Sequence, residues 1–588
     1  MSEVKDNPSA PGVLNNPATI CEGRKQLLTL TTRYWTEAVV VAIVIVLWAP
    51  RLSGPIDLRW DAGVYYVLGT SLATGQGYRI LSEPGAPEAI QYPPLLPAVV
   101  ALYQGALGST DPAVVAPWLR KTYFAIFIAY ALAIIALAKM YLRPWLALVA
   151  ATLCVLQIMT IFLSDLLFAE LPFALISVLF VLVTIGRRLS PFPLLRETVL
   201  FVLAAAGFLL RTAGIVLFAA WVIDAIVRRR WQLAVIRLLL AMLPIVAWQG
   251  YVVRVHKSQE YTHPPYAYQR APYQNYNVTY AENISLVDPF RPEQGLADRS
   301  TLTKRLLTNF GSVPAELGGA VSTVVGYWRK LLRDLGYYLH GIMVVPKYVI
   351  WVPIFGIVAL VAGGLVIFLV QRDWVMVIIP LVSVALVCLT PWPEEFRRYL
   401  MPIAPFLTIA AILAARWLDL VCNHWASRWP SLFERLILIS LLLITFSVQV
   451  YAASSAFHVR GAAFAPGRDD KESFRFFYHD NSWRAWEEAA AWIGAHAARA
   501  DIVATIAPHQ LYLQTGLRAV YPPMEANPET ARRLLAAVPV SYVIIDEFRY
   551  RDFSRRYARP AVERDPARWP LVYSVNGTRV YQRVNGAQ

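Results

Sequence analysis

Long apolar runs of about 17–25 residues recur along the chain, separated by short gaps that carry arginine. A helix rises about 1.5 Å per residue, so such a run crosses a hydrocarbon core of roughly 30 Å. No water in that core can satisfy open backbone groups, which leaves helices as the reading for these runs. They fall near residues 35–51, 113–138, 144–163, 166–186, 197–211, 213–227, 233–252, 345–370, 374–391, 399–415 and 432–452, predicting about eleven transmembrane helices. The thinnest are 197–211 and 213–227, on either side of Arg211.

One more apolar stretch, Tyr92 to Gly108, is short and carries Pro93, Pro94 and Pro97. It reads as a helix lying in or dipping into the interface. Charge decides this. If the stretch does not cross, Lys139 and Arg143, Arg187 and Arg188, Arg228 to Arg230, and Arg416 with Arg428 all fall on one side. The bias of Lys and Arg toward cytoplasmic loops then sets the N-terminus inside and the C-terminus outside.

The expected architecture is an α-helical polytopic membrane protein with external interfacial helices and a small C-terminal α/β extracytoplasmic domain. Residues 1–34 form a cytoplasmic tail and 35–454 the membrane domain, with external loops at 52–112 and 253–346. Residues 455–588 change in pattern to a soluble unit. There Trp483 to Ala498 and Pro528 to Ala537 read as helices, and Asp501 to Ile506 and Ser541 to Ile545 as strands. A hairpin joins 571–575 to 579–583 at Asn576-Gly577, a strong turn signal. This segment has no Gly-rich phosphate loop, so nucleotide binding has no support. The second external loop opens with a Tyr- and Pro-rich run, 261–280, whose aromatics suit stacking on sugar, cover for a lipid, or interface anchoring. Its later part, 301–339, has helical spacing suited to the membrane surface.

Composition agrees with the membrane reading, since 57% of residues are hydrophobic and only 16% charged, against about 25% charged in soluble domains. A net charge of +15 invites nucleic acid as a partner, but the basic residues gather at one set of helix ends. The bilayer is the partner and nucleic acid is not. None of the four cysteines (Cys21, Cys154, Cys388 and Cys422) falls in an external segment, so no disulfide is expected there.

The stretch richest in chemistry follows the first span. It reads Arg59-Trp60-Asp61-Ala62-Gly63-Val64-Tyr65-Tyr66, then Gly75-Gln76-Gly77-Tyr78, then Tyr92-Pro93-Pro94-Leu95. Physically this is a carboxylate at the membrane surface, held between a short helix and a Pro-bracketed entry into an interfacial helix. The ordered set resembles the first external loop of the C-type, multi-spanning glycosyltransferases, nearest to protein mannosyltransferases and lipid A aminoarabinose transferases. The likeness covers residues 35–190 well and the remaining spans loosely.

That resemblance implies inverting transfer of a hexosyl or pentosyl group from a polyprenyl-phosphate donor to a lipid, glycan or protein acceptor. It implies Asp61 as general base, and further acids at an external span end, here Asp165 and Glu170. Five positions apart on a helix, these two point about 140° from each other. It also implies cations for the lipid phosphate: Arg398 matches an Arg-Tyr-Leu-x-Pro pattern, with Arg397 and Arg211 as further candidates, Arg being suited to bidentate phosphate contact. Tyr65, Tyr92 and Tyr266 are the expected substrate-loop aromatics. Many relatives carry a second acid after the Asp, where this chain has Ala62. Two acids do not complete a site of six or so oxygen ligands, which leaves a divalent metal undecided. Composition suits a bacterial inner membrane with a periplasmic active face.

Two other classes compete. A transporter or lipid flippase without covalent chemistry would place charges in mid-membrane and pair interrupted helices in inverted repeats. The acids here gather at external ends instead, and no inverted repeat is apparent. A scaffold protein would make the external α/β domain its working part.

Overall fold

The computed structural model describes residues 34–52, 54–186, 191–323, 325–338, 350–425, 443–452 with 454, and 479–584. Most of the expected N-terminal tail with Cys21, together with Arg187, Arg188 and Arg428, the first part of the 432–452 run and residues 455–478 lie outside the described residues.

A helix occupies each of the eleven expected runs. Five are long and apolar enough to cross a bilayer: Pro112–Ala138, Pro193–Leu210, Trp231–His256, Trp351–Val370 and Pro393–Leu418. Pro144–Leu156 and Ile158–Asp165 make a sixth if the 56° bend between them is one broken span. The shorter apolar helices are Tyr34–Trp48, Glu170–Ile185, Thr212–Val227, Val375–Cys388 and Leu443–Ala452, with Leu95–Leu107 as the expected interfacial one. Proline opens Pro112–Ala138, Pro144–Leu156 and Pro193–Leu210, where its missing N–H costs no hydrogen bond. Exposed Leu, Val, Ile and Phe along the Trp231–His256 and Trp351–Val370 helices face outward, as lipid-facing surfaces do. The protein is a multi-pass membrane protein.

The bend at Gln157 positions the site. Gln157 is extended, and its side chain accepts from the Thr160 N–H at 2.8 Å, capping a second short helix. That helix ends at Asp165, and the chain then meets Asp57 in a parallel bridge to Leu166. The Asp57 N–H donates to Asp165 O at 3.1 Å and the Leu167 N–H to Asp57 O at 3.2 Å. The loop after the first helix is thereby stitched to the start of the Glu170–Ile185 helix.

The Arg299–Val321 and Val325–Tyr338 helices fill the later part of the second large loop. The C-terminal domain is a five-stranded sheet, β1 (Ile502–Ala504), β2 (Arg518–Val520), β3 (Val540–Ile545), β4 (Leu571–Val575) and β5 (Thr578–Gln582), in the order β2-β1-β3-β5-β4. β1 pairs in parallel with β2 and β3, whereas β5 runs antiparallel to β3 and β4. Asn576 and Gly577 have φ of 45° and 88°, as the predicted hairpin turn requires. The Pro508–Thr515 helix and β2 were not anticipated from the sequence. Both touch the membrane domain: His509 of the helix lies 2.7 Å from Ser82 Oγ, and the Ala519 N–H on β2 donates to Ser82 O of the first loop at 2.8 Å.

Candidate active site

Asp61 opens the Asp61–Ala73 helix, where the helix dipole favours a carboxylate. The residue before it, Trp60, has φ of 58°, a conformation costly for a bulky side chain. Packing holds it there. The Trp60 ring meets Phe162, Trp483 and Tyr550 at centroid distances of 6.0, 5.8 and 6.2 Å, and the Arg59 guanidinium lies 4.6 Å from it. Arg59 is itself locked by Asp57 through Nη2 to Oδ2 at 2.5 Å. Asp61 therefore starts its helix at a point set by membrane and C-terminal domains together.

Around Asp61 the charges form a chain. Arg398 donates from Nη2 to Asp61 Oδ2 at 2.5 Å and from Nε to Glu170 Oε1, which Arg211 also reaches at 2.9 Å. Glu395 lies 3.8 Å from Arg398. The Tyr276 hydroxyl donates to the other Asp61 oxygen at 3.0 Å. Burial would raise the Asp61 carboxyl, but the Arg398 charge and the bonds from Arg398 and Tyr276 outweigh it and hold Asp61 below the usual carboxylate range. Burial and the neighbouring Asp61 charge push the Tyr276 hydroxyl well up, so it stays a donor.

Behind Tyr276 stands His509, first turn of the Pro508–Thr515 helix, with ring centroids 4.9 Å apart. Its Nδ1 lies 2.7 Å from Ser82 Oγ, and burial pushes the imidazole down to about 3, keeping it neutral. Gly63 permits this approach, because a Cβ there would sit 3.3 Å from His509 Cβ and 3.0 Å from Leu58 O.

Two cavities meet at this cluster. One, of about 210 Å³, is mainly apolar, with Tyr65, Phe173, Ile215, Leu386 and Val387 among its walls and Arg211 and Arg398 as its cations. That is space for a chain segment, since a water takes roughly 30 Å³. The other is smaller and polar, lined by Asp61, Asn275, Tyr276, Glu395 and Arg551 among others. Tyr92, Tyr280, Arg398 and Tyr399 line both.

Of the residues singled out from the sequence, Asp61, Glu170, Arg398, Arg211, Tyr65 and Tyr92 come together here. Asp165 lies apart, buried between Arg51 and Arg120, the latter at 2.7 Å. Arg397 points away to Glu316 at 3.2 Å. Tyr266 donates to the buried Glu83 at 2.9 Å, under the C-terminal domain rather than at Asp61. Sequence reasoning missed Tyr276, Glu395, His509 and Arg551. Tyr276 lies in the noted Tyr-rich run, but nothing in its spacing sets it apart.

The donor set does not fit a divalent cation. Asp61 and Glu170 are each bound to a guanidinium, and among the described residues no group of three or more His, Cys, Asp or Glu gathers to hold a metal.

No protein-family model matches the chain, and no curated protein matches it in sequence. Solved structures do align. An oligosaccharyltransferase from Archaeoglobus fulgidus, tethered to an acceptor peptide, superposes at a TM-score of 0.51 with 13% identity, covering 95% of this chain and 75% of that one. The oligosaccharyltransferase AglB of the same organism, with an inhibitory peptide and a dolichol-phosphate, gives 0.50 and 11%, covering 94% and 75%. ArnT from Cupriavidus metallidurans in the apo state gives 0.50 and 11%, covering 95% and 100%. The chain has the fold of the C-type glycosyltransferases. At these identities the likeness speaks for the fold, and the chemistry has to be argued from the site.

Proposed function

We propose that this protein transfers a sugar, with inversion, from a polyprenyl-phosphate donor to an acceptor hydroxyl at the extracytoplasmic face. The observation that carries the reading is the Asp61–Arg398 pair, in which Arg398 lines both the apolar and the polar cavity and Asp61 lines the polar one. A base for the incoming hydroxyl and a cation for the departing phosphate stand side by side. The dolichol-phosphate captured with AglB is the kind of molecule the apolar cavity would take.

In this mechanism the donor lies in the apolar cavity with its phosphate toward Arg211 and Arg398. The acceptor hydroxyl lies in the polar cavity. As its oxygen bonds to the anomeric carbon, Asp61 takes its proton and the bond from that carbon to the phosphate oxygen breaks on the opposite face. The two arginines receive the phosphate charge, a preorganised electrostatic contribution. A carboxylate clamped by Arg398 is a weak base. Phosphate competes for that guanidinium, and the clamp loosens when donor is bound. Tyr276 keeps the other Asp61 oxygen aimed, and Glu170 holds the two arginines at a common height. Asp165, Arg397 and Tyr266 are positioned for structural work.

The orientation that goes with this chemistry is an inner-membrane protein of eleven crossings, N-terminus cytoplasmic and C-terminal domain periplasmic. The test is Asp61→Asn in the full chain, with lipid-linked sugars and envelope glycans compared by mass spectrometry. The variant should insert normally and accumulate the donor while one glycosylated product disappears. An unchanged product set would sink the assignment.

A further inference from the structure

The polar cavity contains a cation that the reaction just described leaves unused. Arg551, on the segment after β3, reaches it from the C-terminal domain. Its guanidinium rests over the Phe290 ring at 4.8 Å and near Phe553 at 5.6 Å. Among the described residues it has no carboxylate within 4.0 Å and makes no side-chain hydrogen bond. The other arginines of the site are satisfied: Arg398 by Asp61 and Glu170, Arg211 by Glu170. A stacked guanidinium, held by aromatic faces and leaving its N–H fork open to a cavity, is a preformed anion site.

Position selects the ligand. Arg551 lines the polar cavity and is not part of the apolar one, whereas Arg211 lines the apolar cavity and not the polar one. Each cavity thus has its own arginine, and Arg398 stands between them. Resting on the glycosyltransferase reading above, we infer that the acceptor carries an anionic group, a phosphate or carboxylate, beside the hydroxyl that is glycosylated, and that Arg551 binds it. The C-terminal domain is then part of the active site. It supplies acceptor recognition through Arg551, and Tyr521 and His509 back Tyr276, the former at a ring distance of 6.2 Å.

The experiment uses the full chain in isolated membranes, comparing wild type, Asp61→Asn, Arg551→Met, Arg551→Gln and Arg551→Lys at matched protein levels. Met keeps the apolar stack on Phe290 without the charge. Tandem mass spectrometry of the product lost in Asp61→Asn should show a phosphate or carboxylate on the acceptor next to the new glycosidic bond. With that acceptor titrated, Arg551→Met and Arg551→Gln should raise its KM by about ten- to a hundredfold, as loss of a charged hydrogen-bonding partner does. The donor KM and the rate at saturation should stay within about twofold, and Arg551→Lys should recover part of the loss. A neutral acceptor, a wild-type acceptor KM in both uncharged variants, or a rise in donor KM instead would overturn the inference while leaving Asp61 in its role. Should neither uncharged variant insert, the structure of the acceptor decides alone. An Asp61→Asn strain with an unchanged product set would remove the underlying reading, and this inference with it.

Discussion

Arg398 joins the two carboxylates of the site, donating from Nη2 to Asp61 at 2.5 Å and from Nε to Glu170. One guanidinium therefore sets the distance between an acid on the first loop and an acid at the head of an apolar helix. Any ligand that competes for Arg398 alters both. The fork geometry matters here, because a Lys ammonium offers a point charge and cannot keep two separate directed contacts.

Arg398→Lys should consequently reduce transfer by about 10²–10³-fold although the charge is retained, the range seen when a charge-stabilising donor is lost. Initial rates of labelled-sugar transfer in membranes, at equal protein, would measure it. Activity within about twofold of wild type would show that Arg398 does not act through its fork.

Gly63 is where the C-terminal domain rests on the Asp61 helix. Its missing side chain leaves room for His509, whose Cβ would be 3.3 Å from an added one. Gly63→Ala should destabilise by about 1 kcal/mol and Gly63→Val by about 1–3 kcal/mol, the usual cost of overfilling a packed contact. The Val variant should also release the domain, read as faster proteolytic cleavage between the membrane helices and residue 479. Equal cleavage rates would show that this contact does not hold the domain in place.

Asp165 and Asp61 should respond differently to the same chemistry. Asp165 is buried against Arg51 and Arg120, and Asp165→Asn removes the carboxylate charge that both buried arginines face. The expected cost is about 3–5 kcal/mol, visible as a lower melting temperature in detergent and a poor folded yield. Asp61→Asn should leave both nearly as in wild type. A well-folded, inactive Asp165→Asn protein would instead point to a direct part for Asp165 in transfer.

His509 gives the C-terminal contact a pH dependence. Its folded pKa of about 3 lies below the unfolded value near 6.5, so over that interval the unfolded chain binds a proton that the folded one does not. Stability then rises with pH between about 3 and 6.5 and is fully present above 6.5, with a limiting slope near 1.4 kcal/mol per pH unit. Depressed carboxylates such as Asp61 add their own loss only lower, as pH falls below their unfolded pKa near 3.9. Denaturation of His509→Gln should therefore be flatter than wild type from pH 4 to 6.5, measured by thermal unfolding across that range. Parallel curves for the two proteins would remove His509 from the account.

Hydropathy and proline placement are local properties, and they sufficed for much of this molecule. The apolar runs, the short helix after Pro93 and Pro94, the Asn576-Gly577 hairpin and the Pro528–Ala537 helix depend on neighbours a few residues away. Asp61 too stood out in the sequence, because its surroundings form an ordered motif. What remained hidden was which distant groups meet it. Arg398 lies 337 positions away and Tyr276 lies 215, and no periodicity encodes such pairings. Asp165 and Glu170 look alike in sequence, yet a turn after Asp57 and Leu166 pair sends one to Arg51 and Arg120 and the other to Arg398. Arg397 and Arg398 are neighbours that point to different acids because adjacent positions on a helix diverge by about 100°. The charge on Arg551 was visible from the start. Only packing of the C-terminal sheet against the first loop, through Ser82, Gly63 and Trp60, decided that it opens into the cavity beside Asp61.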